Sequence, residues 1–184
     1  MQTDKKPQRE RSSAQLRGVD HLRGSIKRWL SMLAAVAFAI VAASADASAA
    51  SILIYTVKDS FASVKEDVVD AIVKRGLVID YTAHVGAMLA RTAKDVGASK
   101  TIYSDAQALQ FCSATLSRQT MEATPVNIAF CPYVIFVYSL PASPEVTYVG
   151  FRPLPRVGSK QSRAAIAAVN ALLDGIVREA AGKK

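Results

Sequence analysis

The chain has 184 residues, 51% of them apolar, with 23 lysines and arginines against 15 aspartates and glutamates, for a formal net charge of +8. Half of that surplus lies in residues 1–49, which carry eight cations and four anions, so the remaining 135 residues keep an ordinary net +4. With no dense basic stripe and no interleaved stacking aromatics in that remainder, nucleic-acid binding is excluded, and the length fits a single domain.

Residues 1–28 are polar and basic, and the uncharged stretch "LSMLAAVAFAIVAA" follows at 30–43, ending in small residues with Ala47-Ser48-Ala49. A charged region, a short apolar core and an A-x-A exit are the layout of a secretory signal peptide, predicting cleavage near Ala49. The apolar core is shorter than the ~20 residues a membrane helix needs. Membrane attachment would therefore come only through an uncleaved signal anchor. The expected location is periplasmic or secreted, with residues 50–184 as one α+β domain.

"SILIYTV" (51–57) is β-branched and apolar and predicts a strand. Ser60 then caps a helix with Phe61, Val64, Val68, Ala71 and Ile72 at helical spacing, stopped by Gly76. "LVIDYTA" (77–83) predicts a second strand. A second helix follows, with Val85, Met88, Leu89, Thr92 and Val96 on one face and Gly97 at its end. A short strand is expected at Thr101–Tyr103. Ser104 with Gln107 then makes a capping box for a third helix carrying Leu109, Cys112 and Leu116, ended by Pro125. "YVIFVYSL" (133–140) is the clearest strand, joined through "PASPE" to "VTYVGF" (146–151) as a hairpin. Ser159 caps a last helix to about Ala180, with Ile166, Val169, Leu173, Ile176 and Val177 facing the sheet. This order predicts a two-layer α+β fold, a mainly antiparallel sheet with helices on one face.

The block "FCSATLSRQTMEATPVNIAFCPYVIFVYSLP" (111–141) with "VTYVGFRP" (146–153) resembles the domain of unknown function 302 family, in its secreted, cysteine-containing branch. "YTVKDSFASVKEDVVDAIVKRGLVIDYTAHVGAML" (55–89) resembles the family's opening, and the likeness spans about residues 52–153. The resemblance implies a curved antiparallel sheet with packed helices, related to the TATA-binding-protein-like architecture, and a capacity to form homodimers. It implies no DNA binding and assigns no activity. The cysteine pair and the long helical insert depart from the simplest cytosolic members.

Cys112 and Cys131 are the two cysteines of the chain, 19 residues apart. In an oxidising compartment the simplest reading is a disulfide, worth ~3 kcal/mol by loop closure. Two buried thiols, or a dithiol in redox or metal chemistry, are the alternatives. The metal reading would add His84 and Met88, one turn apart, as imidazole and thioether ligands suited to copper or haem iron. His84 as a helix-end residue with Met88 in the core is the plainer reading. Asn127 is a candidate ligand contact or a loop-backbone partner. Arg152 and Arg156, on the proline-stiffened "RPLPR" loop, form a candidate anion site. No catalytic residue, metal or cofactor is assigned. The expected role is a small binding or accessory module with an unidentified small ligand or periplasmic protein as partner; redox or metal handling is the alternative.

Overall fold

The computed structural model describes residues 52–183. The chain divides into two units, Met1–Ala49 and Ala50–Lys184, and the described residues lie in the second. The expected signal peptide, with its cleavage near Ala49, lies outside the described residues.

Strand β1 (Leu53–Val57) leads to helix α1 (Phe61–Val73), β2 (Ile79–Ala83), α2 (Val85–Thr92) and β3 (Asp105–Phe111). Helix α3 (Ala114–Ala123), a 3-10 turn (Pro125–Phe130), β4 (Tyr133–Leu140), β5 (Ser143–Phe151) and α4 (Lys160–Ala180) complete the domain. All strand pairs are antiparallel, in a five-stranded open sheet of order β1-β5-β4-β3-β2. This is the expected α+β class.

Two expected helix caps are present as hydrogen bonds. Ser60 Oγ accepts from the Ser63 amide at 3.2 Å, and Ser159 Oγ from the Ser162 amide at 3.1 Å. Each satisfies one of the amides that a helix start leaves without an intrahelical partner. The apolar stripe of α1 (Val64, Val68, Ala71, Ile72) and that of α4 (Ile166, Val169, Leu173, Ile176, Val177) are buried, as their spacing predicts. Both helices cover one sheet face through Leu109, Phe111, Ile135, Val137, Val149 and Phe151. Each such side chain taken fully out of water contributes roughly 1.5–3 kcal/mol, so this layer is the main source of stability. At its rim Tyr55 donates to Asp174 Oδ1 at 2.9 Å, and Glu179 pairs with Arg75 at 2.7 Å, tying α4 to β1 and α1.

Four expectations are corrected. The predicted third helix from Ser104 is instead β3, with Cys112 just past its end. The helix proper starts later, where Ser113 accepts from the Leu116 amide. Leu109 and Phe111 alternate along the strand and both face the core, and β3 is held on both sides by β2 and β4. The two ladders supply backbone partners for the whole segment and outweigh a local capping pattern. No strand forms at Thr101–Tyr103. Helix α2 stops at Thr92 rather than near Gly97, and none of its residues is buried; Val96 is 74% exposed. It packs beside β3, where Gly86 approaches so closely that a Cβ would sit 2.9 Å from the Ala106 nitrogen. The "PASPE" loop is shorter than expected, since β5 begins at Ser143, which pairs with Leu140.

Candidate functional site

The hydrogen-bond register fixes what the sheet shows on the side away from α1 and α4. Successive side chains of a strand alternate between faces. On β4 the odd positions Tyr133, Ile135, Val137 and Ser139 are buried. Val134, Phe136, Tyr138 and Leu140 therefore face the other way. Cross-strand pairing sorts that face into rows. Ile54, Gly150, Phe136 and Ala108 make one row; Thr56, Tyr148, Tyr138 and Ala106 make the next. Continuing the alternation one step toward the sheet end sets Ile52, Arg152, Val134 and Gln110 in a third.

This face is apolar and aromatic. Tyr138 stacks on Tyr148 with ring centroids 4.8 Å apart, and Tyr103, from the loop before β3, meets Tyr138 edge-on at 5.5 Å. Gly150 lies beneath the Phe136 ring; a Cβ there would be 2.8 Å from the ring and 2.2 Å from the Leu53 carbonyl oxygen. A cavity of about 510 Å³ opens here, walled by Phe136, Tyr138, Tyr103, Ile102, Val85 and Ile54. A second, of about 590 Å³, lies toward Phe130, Pro132 and Arg152, and the two share Ile52 and Phe136 as walls. Burial, then the neighbouring Tyr148 and Tyr103 phenols, raise the Tyr138 pKa above its usual 10.0, so its hydroxyl stays protonated and can donate.

None of these aromatic residues was singled out from the sequence. The signal was nevertheless present. "YVIFVYSL" is apolar at nearly every position, whereas an antiparallel strand with one solvated face alternates apolar with polar. The run demands cover on both faces, and among the described residues the second is approached by the start of α2 at Val85 and Gly86 and by the loop at Ile102–Tyr103.

The residues chosen from the sequence lie elsewhere. The Cys112 and Cys131 sulfurs are joined at 1.98 Å with Cα atoms 6.3 Å apart, linking the end of β3 to the start of β4. Beside this bridge Ser117 Oγ is 3.0 Å from the Tyr133 hydroxyl and 3.7 Å from Cys131 Sγ. His84 precedes α2 at the other end of β3. Since Ala83 pairs with Ala108, His84 lies about 16 Å from Cys112 along the strand direction. Met88, one turn further, is 42% exposed rather than in the core, and its carbonyl accepts from Thr92. The structure does not bring His84 and Met88 to the cysteines. Among the described residues no group of three or more His, Cys, Asp or Glu side chains is placed to hold a metal ion.

Asn127 is 2% exposed, with its amide donating to the Thr120 carbonyl at 2.8 Å and to Ser162 Oγ at 2.9 Å. It bolts the 3-10 turn to α3 and α4, and has no amide hydrogen left for a ligand. Arg152 and Arg156 are both exposed, and Arg152 lines the second cavity.

The sequence profile described as Domain of unknown function DUF302 matches residues 53–180. The chain belongs to the DUF302 family. Among solved structures, it is similar to an uncharacterized conserved DUF302 protein from Bacillus stearothermophilus, with a TM-score of 0.58 at 13% identity. That match covers 70% of this chain and 97% of the other, and at such identity it speaks to the DUF302 fold alone. No curated protein matches the chain. The DUF302 match runs past the resemblance seen in residues 52–153 to take in α4, the helix that closes the core.

Proposed function

We propose that the protein works outside the cytoplasm as a small binding module. Its site is the aromatic sheet face centred on Phe136 and Tyr138, and Cys112–Cys131 staples the strand ends beside it. The observation that carries this reading is the apolar face itself. A cavity of about 510 Å³ lies within the ~300–1,000 Å³ range of small-molecule sites, and such sites pair apolar walls with a few polar groups. Here the polar groups are the tyrosine hydroxyls. Export draws support from the leader-like sequence of residues 1–49 and from the disulfide, a bond that persists in oxidising compartments. The metal or haem alternative draws no support from the spacing of His84 and Met88 relative to the cysteines.

Titrating the full-length protein with an environment-sensitive apolar dye tests the reading. The expected result is a saturable fluorescence rise with one dye per chain, abolished by Ala108→Leu, which fills the cavity floor without entering the core. Dye binding that survives this substitution unchanged contradicts the assignment. Sedimentation at the same concentrations covers the other use of the face: a dimer whose formation excludes the dye would make it a contact between two copies.

A further inference from the structure

Two cavities, sharing Ile52 and Phe136, run toward the end of the sheet where the β5 chain leaves as Arg152. Among the described residues Arg152 is the only charged one that lines either of them. Every other wall is apolar, aromatic or an uncharged polar residue. The ion pairs made by Lys74, Arg75 and Arg118 do not engage Arg152. An acidic partner on the sheet face would have consumed this charge, and none lines the cavities.

Register sets the length of the trough. From the Arg152 row to the Tyr138–Tyr148 row is four residues along β5, about 13 Å at the rise of an antiparallel strand. Between the rows lie the small residues Gly150 and Ala108, with Phe136 leaning over the glycine. The surface thus offers an apolar floor, aromatic side walls, one cation at one end and phenol hydroxyls at the other.

We propose that the ligand of this face is an amphipathic monocarboxylate, with an apolar body about 13 Å long and its carboxylate on the Arg152 guanidinium. The proposal rests on the reading of the sheet face as a binding site and adds the chemical class of the ligand. Guanidinium is suited to the head group because its planar fork can meet a carboxylate with two parallel hydrogen bonds. The apolar body buries against Phe136, Ala108 and Ile54, and this burial supplies most of the affinity. Arg152 selects the charged head over a neutral one.

Calorimetric titration of the full-length protein with decanoate and with decanol tests both layers separately. Decanoate is expected to bind about tenfold more tightly than decanol at low salt, with the advantage shrinking as salt rises, because Arg152 is exposed and screened. Arg152→Gln should erase that advantage and leave decanol binding unchanged. Arg156→Gln, on the same loop but lining neither cavity, should change neither ligand. Circular dichroism of each variant checks that it folds. Equal binding of the two ligands, or an advantage that survives Arg152→Gln or vanishes in Arg156→Gln, overturns the carboxylate assignment while leaving the apolar site standing. Absence of binding by decanoate, decanol and the apolar dye overturns both.

Discussion

Asn127 commits both amide hydrogens, to a backbone carbonyl and to a buried serine, at 2% exposure. Removing the amide takes the donor from the buried Ser162 hydroxyl and leaves the Thr120 carbonyl with the Thr124 amide alone, and losing a buried partner costs about 1–3 kcal/mol. Asn127→Ala is therefore expected to lower unfolding stability by about 2 kcal/mol in urea titration, without touching the sheet face. From the sequence, the residue's polarity beside Pro125 suggested a loop-backbone contact. That half was legible; the serine 35 positions later was not, because only the packing of α4 brings it near. A second consequence concerns pH. Burial raises the Tyr133 phenol above the usual 10.0, partly offset by its bond to Ser117. The unfolded chain then loses this proton before the folded one does. Stability from this group is complete below pH about 10 and declines as pH climbs past it. Tyr133→Phe should flatten that alkaline decline in pH-dependent denaturation; an unchanged slope would exonerate this phenol.

At the level of elements, Gly150 is where β1, β5 and β4 meet most tightly. A Cβ there would stand 2.2 Å from the Leu53 oxygen, so the β1–β5 ladder must shift to admit even alanine. Gly150→Ala is expected to cost roughly 1–3 kcal/mol, and hydrogen exchange should show the loss concentrated in the amides of Leu53–Val57. Leu173→Ala in α4 should cost more, about 3–4 kcal/mol, because it opens a cavity among side chains that are almost fully buried. Elements with one clear period were legible. Helix α4 has a buried stripe read directly from its spacing, and β4 has bounds identical to those expected from "YVIFVYSL". Strand β3 was not. Leu109, Cys112 and Leu116 mimic helical spacing, Ser104 and Gln107 mimic a cap, and only Leu109 and Phe111 betray the period of two. Ala106 breaks the alternation because it is buried on the opposite face, under the close approach of Gly86. A partner that arrives from elsewhere in the chain cannot be read from local spacing.

At the scale of the domain, the decisive asymmetry among the described residues is that the central strands are apolar on both faces, while α1 and α4 cover one and only the start of α2 and the loop at Ile102–Tyr103 reach the other. Cys112–Cys131 holds the β3 and β4 ends together beside that less covered face. By loop closure over 19 residues, reduction should lower stability by about 3 kcal/mol. Thiol titration of the native protein is expected to find no reactive thiol until it is unfolded or reduced. The most direct test of the account is chemical-shift mapping on the isotopically labelled full-length protein during titration with an apolar aromatic probe. The account predicts that perturbations gather at Ile54, Ala108, Phe136, Tyr138 and Tyr103 and spare the core stripe of Val169 and Ile176. Perturbations confined to the helical layer, or none on the sheet face at saturating probe, would contradict it.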